Sequence, residues 1–384
     1  MDGDRLKSYV RLHLADGVGA ITFRRLVEAF GDAEAVRAAG PGAWRRVEGV
    51  GPKTADAIAA VTDEQVEEEL ALARDHAVEI LCVEDAAYPA ALKTIHDPPA
   101  LLYVRGHLEA ADALAVAVVG ARRGTHYGLE QSQRFGGLLG RAGFTVVSGG
   151  AYGIDGAAHR GALEAGGRTI AVMGCGLCQT YPPENEKMFE QIVSDGRGAI
   201  LSELPMRTAV LAGNFPTRNR IISGLSLGVL VVEAARRSGS LLTAADAAEQ
   251  GRVVFALPGR VDSPTSQGTN ELIRTGATLV QNLEDILEEL GPVGKKMSPD
   301  APDSPDAPEA QRTLPAALDA TERALAAALE DGPLNLDDLA RRTGLDSGKT
   351  AAAMTMLVLK GLVVQSPGNL FDRKRSRKRG QSRA

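Results

Sequence analysis

Three short phrases of the sequence hold residues able to grip an anion. Gly120-Ala121-Arg122-Arg123-Gly124 follows an apolar run at 114–119, and Ser148-Gly149-Gly150-Ala151-Tyr152-Gly153-Ile154-Asp155 follows another at 145–147. Arg236-Arg237-Ser238-Gly239-Ser240 comes after a third run at 229–232 and Glu233. In each, glycine lets the backbone approach a ligand closely, and an amphipathic stretch comes next. The loop would open a helix whose first N–H groups and positive dipole end attract negative charge. A fourth phrase, Asn214-Phe215-Pro216-Thr217-Arg218-Asn219-Arg220, puts two arginines and an aromatic ring within six residues. Guanidinium groups pair with phosphate oxygens, and a ring gives a base a stacking face worth ~1–3 kcal/mol. Loops suited to phosphate beside a ring suited to a base fit a single-stranded nucleic acid better than a small cofactor.

Other chemistries fit less well. The glycines of the first loop stand at 120, 124 and 128, not in G-x-G-x-x-G, and Arg122 sits where a pyrophosphate would need bare backbone, so no cofactor is expected. Gly348-Lys349-Thr350 has Thr343 where a P-loop needs its leading glycine. The six histidines, at 13, 76, 96, 107, 126 and 159, show no zinc-site spacing. Cys175-Gly176-Leu177-Cys178 is a C-x-x-C, yet only Cys82 could add a thiolate, and Gly174 and Gly176 already explain the segment as a loop. Around Ser148 a nucleophile elbow fails, because Val146 replaces its first glycine. Asp155 reads as the N-cap of the following helix. Neither a catalytic residue nor a metal is expected.

The elements that must position these phrases alternate. Apolar runs at 114–119, 145–147, 169–173, 199–201, 229–232 and 253–257 are separated by amphipathic stretches such as 127–142 and 243–250. Nearly all-apolar strands with helices between them predict an α/β, Rossmann-like doubly wound sheet, covered on both faces, whose strand ends gather the loops into one crevice. Shorter runs at 78–83 and 101–104 would add edge strands. Upstream, Gly17-Val18-Gly19 and Gly49-Val50-Gly51 each precede a helical stretch, the form of a helix-hairpin-helix in a helical, SAM-like module. Such hairpins either hold phosphate or only pack the module. Downstream, proline alternates with aspartate at 291–315, a composition that predicts an extended linker. Helical patterns at 321–329, 336–342 and 347–360 followed by a hairpin at 362–365 and 369–372 predict a winged helix. Its third helix offers mainly Lys349, Thr350, Thr355 and Lys360, a poor set for reading base edges, which favours contact with protein or weak contact with phosphate over sequence-specific DNA binding. The expected domains are therefore 1–75 helical, 76–290 Rossmann-like, 291–315 linker, 316–372 winged helix and 373–384 a basic tail. That tail either adds phosphate contacts or only aids solubility.

Composition narrows the class further. The 384 residues carry 43 Lys+Arg against 49 Asp+Glu, a net charge of −6, which excludes a uniformly basic nucleic-acid coat. The arginines at 122–123, 218–220 and 236–237 would instead form a local patch. No apolar run approaches the ~18 residues of a membrane span. Three cysteines make no disulfide framework, and the charged start is unlike a signal peptide. A cytoplasmic protein without membrane contact is expected.

These phrases, with Ala158-His159, Tyr181-Pro182 and Asn185, Leu241, Thr243-Ala244 and Pro258-Gly259, resemble the DNA-processing protein A (DprA, also called Smf) family, closely over 90–290 and more loosely toward both ends. The resemblance implies a non-enzymatic protein that binds single-stranded DNA taken up in natural transformation and protects it. It further implies loading of the RecA recombinase on DNA coated by single-strand-binding protein, and a homodimer. By position, Arg122 would take a backbone phosphate, Gly149, Gly150 and Ala151 would offer N–H groups, and Phe215, Arg218, Asn219 and Arg220 would flank the strand. Gly120, Ala121, Ser148, Ser238 and Gly239 complete the expected site. The family's Gly-Ser-Arg is Gly120-Ala121-Arg122 here, which removes a hydroxyl donor and leaves the guanidinium. The stretch 266–280 resembles the family's self-association surface. A competing resemblance is to lysine-decarboxylase-like phosphoribohydrolases, nucleotide-hydrolysing enzymes that share a Gly-Gly-x-Gly loop. They follow it with Thr and a catalytic Glu, where this chain has Ile154-Asp155-Gly156-Ala157. A transcription regulator acting through the winged helix is a third reading.

Overall fold

In the computed structural model the chain divides into two compact units, Met1–Pro302 and Asp303–Ala384. The structure describes residues 3–291, 293, 320–329, 334–346, 349–350, 353–354, 357, 363–366 and 370–373. The first unit is built on nine strands: β1 (Val78–Cys82), β2 (Leu101–Gly106), β3 (Ala115–Val119), β4 (Thr145–Ser148), β5 (Thr169–Val172), β6 (Gly198–Ser202), β7 (Gly228–Val231), β8 (Val253–Ala256) and β9 (Thr278–Leu279). Their order is β1-β2-β6-β5-β4-β3-β7-β8-β9. From β6 to β9 neighbours are parallel. The β1–β2 pair joins β6 antiparallel, so the doubly wound sheet is mixed.

Strand β3 shows why these segments form a central sheet. Its residues Ala-Val-Ala-Val-Val are all buried. Ala115, Ala117 and Val119 pack with Ile221, Ile222 and Ala244 on one face, while Val116 and Val118 pack with Phe135, Ile154 and Ala158 on the other. Alternate side chains thus enter two separate cores, which demands an unbroken apolar run of β-branched and small residues. From β3 the chain winds through β4 and β5 to β6, then crosses back to β7 on the other side of β3 and continues to β8 and β9. The carboxyl ends of β3 and β7 therefore flank the point where the winding reverses, where open α/β sheets bind ligands.

The helical N-terminal segment is part of this unit. Tyr9, Leu26 and Trp44 share one apolar cluster with Leu101 and Tyr103 of β2 and Phe189 of helix Glu186–Ser194. Gly17 and Gly49 take φ of 81° and 88° at the two hairpins, and helices Ala20–Phe30 and Pro52–Ala60 follow. Thr62 and Gln65 form a capping box that starts helix Asp63–Asp75. From that helix the buried Glu69 accepts the Met206 N–H at 2.7 Å, tying the module to the loop after β6.

The second unit has helices Ala320–Ala328 and Leu336–Thr343 and a three-stranded sheet, β10 (Leu334–Asn335), β11 (Val363–Ser366) and β12 (Leu370–Arg373), in the order β10-β12-β11. Leu325, Leu339, Leu357, Val363 and Phe371 form its core. Gly344, at φ 68°, ends the second helix in the left-handed conformation that glycine adopts freely. These are the parts of a winged helix. Most of the expected linker, most of the third helix and the tail beyond Arg373 lie outside the described residues.

Candidate nucleic-acid interface

The carboxyl ends of β3, β4 and β7 meet in a crevice of about 450 Å³. Gly120, Ala121 and Arg122 enter it from the loop after β3, Ala151 and Asp155 from beyond β4, and Arg237, Ser238 and Gly239 from beyond β7. Helix Asn214–Gly224 closes one side. On that helix Phe215, Arg218, Asn219 and Ile222 recur at three- and four-residue steps, so they share the face that lines the crevice. All four phrases singled out in the sequence therefore reach one place, although Ser148, Gly149, Gly150 and Arg220 do not line it.

The arginines do three different things. Arg122 is exposed, and its guanidinium carbon lies 4.8 Å from the centre of the Phe215 ring. That distance is within cation–π range, and among the described residues Arg122 has no ion-pair partner. Arg218 is 5% exposed, and its Nη1 donates inside the protein to the carbonyl oxygens of Gly149 at 2.7 Å and of Val172, while its buried Nε has no partner among the described residues. Burial pushes its pKa down to about 10, a shift that the nearby Asp155 opposes. Arg220, expected beside Arg218 on the strand, points elsewhere. Two residues apart on a helix are far from aligned, and its guanidinium bonds Asp97 at 2.8 Å and Glu203 at 2.6 Å. It is a buried tie between the helix and the loops around β2 and β6.

The second loop is held from below. Ser148, expected at the ligand, is fully buried and donates to the Val118 carbonyl at 2.6 Å, linking β4 to β3. The Gly149 N–H, expected to be offered to phosphate, donates instead to Asp155 Oδ2 at 3.1 Å. Asp155 is not the N-cap. Gly153 holds that position, and the Asp155 carboxylate folds back from the first turn of helix Ile154–Glu164. Burial pushes that carboxyl above the usual carboxylate range, an effect the Arg218 charge counters. Gly149 can be nothing larger, since a Cβ there would lie 2.6 Å from both Arg218 Nη2 and Asp155 Oδ2. Gly150, at φ 62°, and Ala151 offer their carbonyls to Asn185 Nδ2 at 3.0 and 3.1 Å. Across the crevice Asn219 donates to the Gly239 carbonyl at 3.3 Å, and the Ser238 and Ser240 hydroxyls are 2.8 Å apart.

Gly153 marks where the first two loops touch. Its φ of 74° with ψ of −122° is a conformation that side chains resist, and a Cβ would sit 2.5 Å from the carbonyl oxygens of Ala121 and Arg122. Gly153→Ala is expected to cost about 2–4 kcal/mol from backbone strain and overpacking together. A lower denaturant midpoint at unchanged m-value would show it.

Two contributors stand outside the site residues that the family resemblance implies, although the first belongs to the expected arginine patch. Arg237 lines the crevice and is exposed, a signal that was present in the basic pair before Ser238. Asn185 clamps the second loop across 35 residues of chain, which no local pattern reveals. Cys175 and Cys178 are unbridged thiols, both pushed up by burial. Among the described residues no group of three or more metal-ligating side chains occurs, and no helix is long and apolar enough to cross a membrane.

Comparisons with known proteins agree with this architecture. Residues 79–291 match the family of DNA recombination-mediator protein A, residues 3–71 the DprA-like N-terminal HHH domain, and residues 299–369 the DprA winged helix domain. The chain is 43% identical over 281 residues to Protein Smf of Escherichia coli (strain K12), covering 73% of this chain and 74% of that protein. It is 40% identical over 222 residues to the DNA processing protein DprA of Bacillus subtilis (strain 168), covering 58% and 74%. Among solved structures it is similar to DNA processing protein A from Streptococcus pneumoniae, with a TM-score of 0.65 at 34% identity over 73% of this chain and 97% of that one. The Helicobacter pylori protein, whose structure concerns its single-stranded DNA binding mode, is similar with a TM-score of 0.50 at 34% identity, over 56% and 95%.

Proposed function

Because the chain belongs to the DNA recombination-mediator protein A family, we propose that it binds single-stranded DNA across the strand-end crevice and serves recombination without itself catalysing a reaction. The observation that carries this reading is Arg122, an exposed guanidinium without an ionic partner among the described residues, poised over the half-buried Phe215 ring. It can take a phosphate without breaking any ion pair, while Phe215 supplies a stacking face next to it. The Helicobacter pylori relative's single-stranded DNA binding mode points the same way. Asp155 supports a non-catalytic site, since its carboxylate is buried and already accepts a backbone N–H.

The strand held there is incoming DNA that the protein protects and passes to a RecA recombinase on DNA coated by single-strand-binding protein. In this reading the protein works in the cytoplasm as a homodimer joined through the region around 266–280. A titration of single-stranded and duplex oligonucleotides of one sequence, at several salt concentrations, tests the binding step. Single strands are expected to bind tighter, with affinity falling as salt rises by ~0.7 log units per log unit for each phosphate contact. Arg122→Ala is expected to weaken single-strand binding and to lower that slope by about 0.7. Equal affinity for duplex, or an unchanged slope in the variant, would overturn the proposal.

A further inference from the structure

Phe215 is the first of three aromatic rings in a row. Its centre lies 5.7 Å from that of Tyr181, which lies 6.1 Å from that of Tyr152. The three come from different places in the chain: helix Asn214–Gly224, the loop after β5 and the loop after β4. None is fully buried. The rings are inclined by 52° and 81° to their neighbours, tilted and edge-on instead of stacked flat on one another. Charge along the row is asymmetric. It begins under the Arg122 guanidinium and ends at Tyr152, whose hydroxyl the neighbouring Glu184 carboxylate holds above its ordinary pKa. A phosphate is drawn to the first end and repelled from the second, whereas an uncharged base is free to sit at either.

We propose that Tyr181 and Tyr152 continue the stacking surface begun by Phe215, so that the nucleotides following the one at Arg122 lay their bases along this row as the strand leaves the crevice. The inference rests on the reading that the crevice takes single-stranded DNA. Every base has a face to stack, so the row adds affinity without reading sequence.

The test uses oligo-dT and an oligomer of equal length made of base-free deoxyribose phosphate, titrated onto the full chain. Tyr181→Ala is expected to weaken oligo-dT binding about fivefold or more, the effect of losing one stacked base. It should leave the base-free strand within about twofold of wild type, because no phosphate contact is touched. Tyr181→Phe, which keeps the ring, should bind like wild type. Should the alanine variant fold poorly, Tyr181→Leu fills the same space without an aromatic face and should lose oligo-dT affinity in the same way. Unchanged oligo-dT binding in a folded Tyr181 variant overturns the row and leaves the crevice reading intact, as does an equal loss for both strands. If the wild-type chain binds neither strand, the crevice reading falls and the row with it.

Discussion

Arg218→Ala is expected to destabilise the first unit by about 3–5 kcal/mol while leaving the salt dependence of DNA binding unchanged in whatever fraction stays folded. The guanidinium holds the Gly149 and Val172 carbonyls at the ends of β4 and β5, and a hydrogen bond to a charged group contributes ~1.5–3 kcal/mol. Its loss also leaves Asp155 buried with no cation to offset its desolvation. The peptide at Gly149 is gripped at both ends, its carbonyl by Arg218 and its N–H by Asp155. A cycle of Arg218→Leu and Asp155→Asn in urea unfolding checks this. The double variant should cost clearly less than the sum of the singles, because each single leaves the other charge uncompensated. An unperturbed midpoint in Arg218→Ala, together with a slope lowered as in Arg122→Ala, would mean that Arg218 contacts the strand directly.

Acid is expected to weaken the fold well before the carboxylates are titrated, through His159. This imidazole is fully buried, and its Nδ1 lies 2.6 Å from Thr169 Oγ1. The threonine hydroxyl already donates to the Val146 carbonyl, so Nδ1 must be the donor. Among the described residues Nε2 has no acceptor to which a second ring proton could be donated. Burial pushes the pKa down from 6.5 to about 3. The unfolded chain therefore takes up a proton near pH 6.5 that the folded chain refuses. The stability is fully present above that value and falls as pH drops, by about 1.4 kcal/mol per unit. At pH 4.5 the expected loss is about 3 kcal/mol. His13, lowered to about 4, works in the same direction. Asp155 and Glu203 have the opposite sign, because burial raises their carboxyls in the folded state, so they offset part of the loss near their own range. Urea unfolding between pH 7 and 4.5 measures the slope. His159→Asn, which keeps a donor toward Thr169, should flatten it by about one proton, and an unchanged slope would remove His159 as the cause.

The sheet was legible because burial on both faces leaves no room for polar residues. Every run expected as a strand is one, to within a residue or two, whereas the two-residue β9 is too short to carry a pattern. The glycine loops at strand ends were legible for the same reason. What the sequence hid is direction. Gly213 and Pro216 mask the start of helix Asn214–Gly224, and read as an irregular segment it puts Arg218 and Arg220 side by side. Wound into a helix, the same residues part company: one lines the crevice from within, and the other is fixed to Asp97 and Glu203. Asp155 differs from an N-cap by two positions, Gly153 being the cap, yet that offset turns a helix signal into the support of the neighbouring loop. Residue types announced the chemistry, and only the backbone decided which groups remain available to perform it.

The reversal of winding between β3 and β7 has a mechanical meaning. The crevice walls belong to halves of the sheet laid down in opposite directions, β4 to β6 on one side and β7 to β9 on the other, and they meet along the β3–β7 ladder. Any fluctuation that parts this ladder separates Arg122 from Arg237 and opens the walls. A ligand bridging both walls binds only the closed form, so its binding free energy is added to the cost of opening the seam. The strand would then act as a removable suture, and the protein would be most resistant to shearing apart while it is loaded.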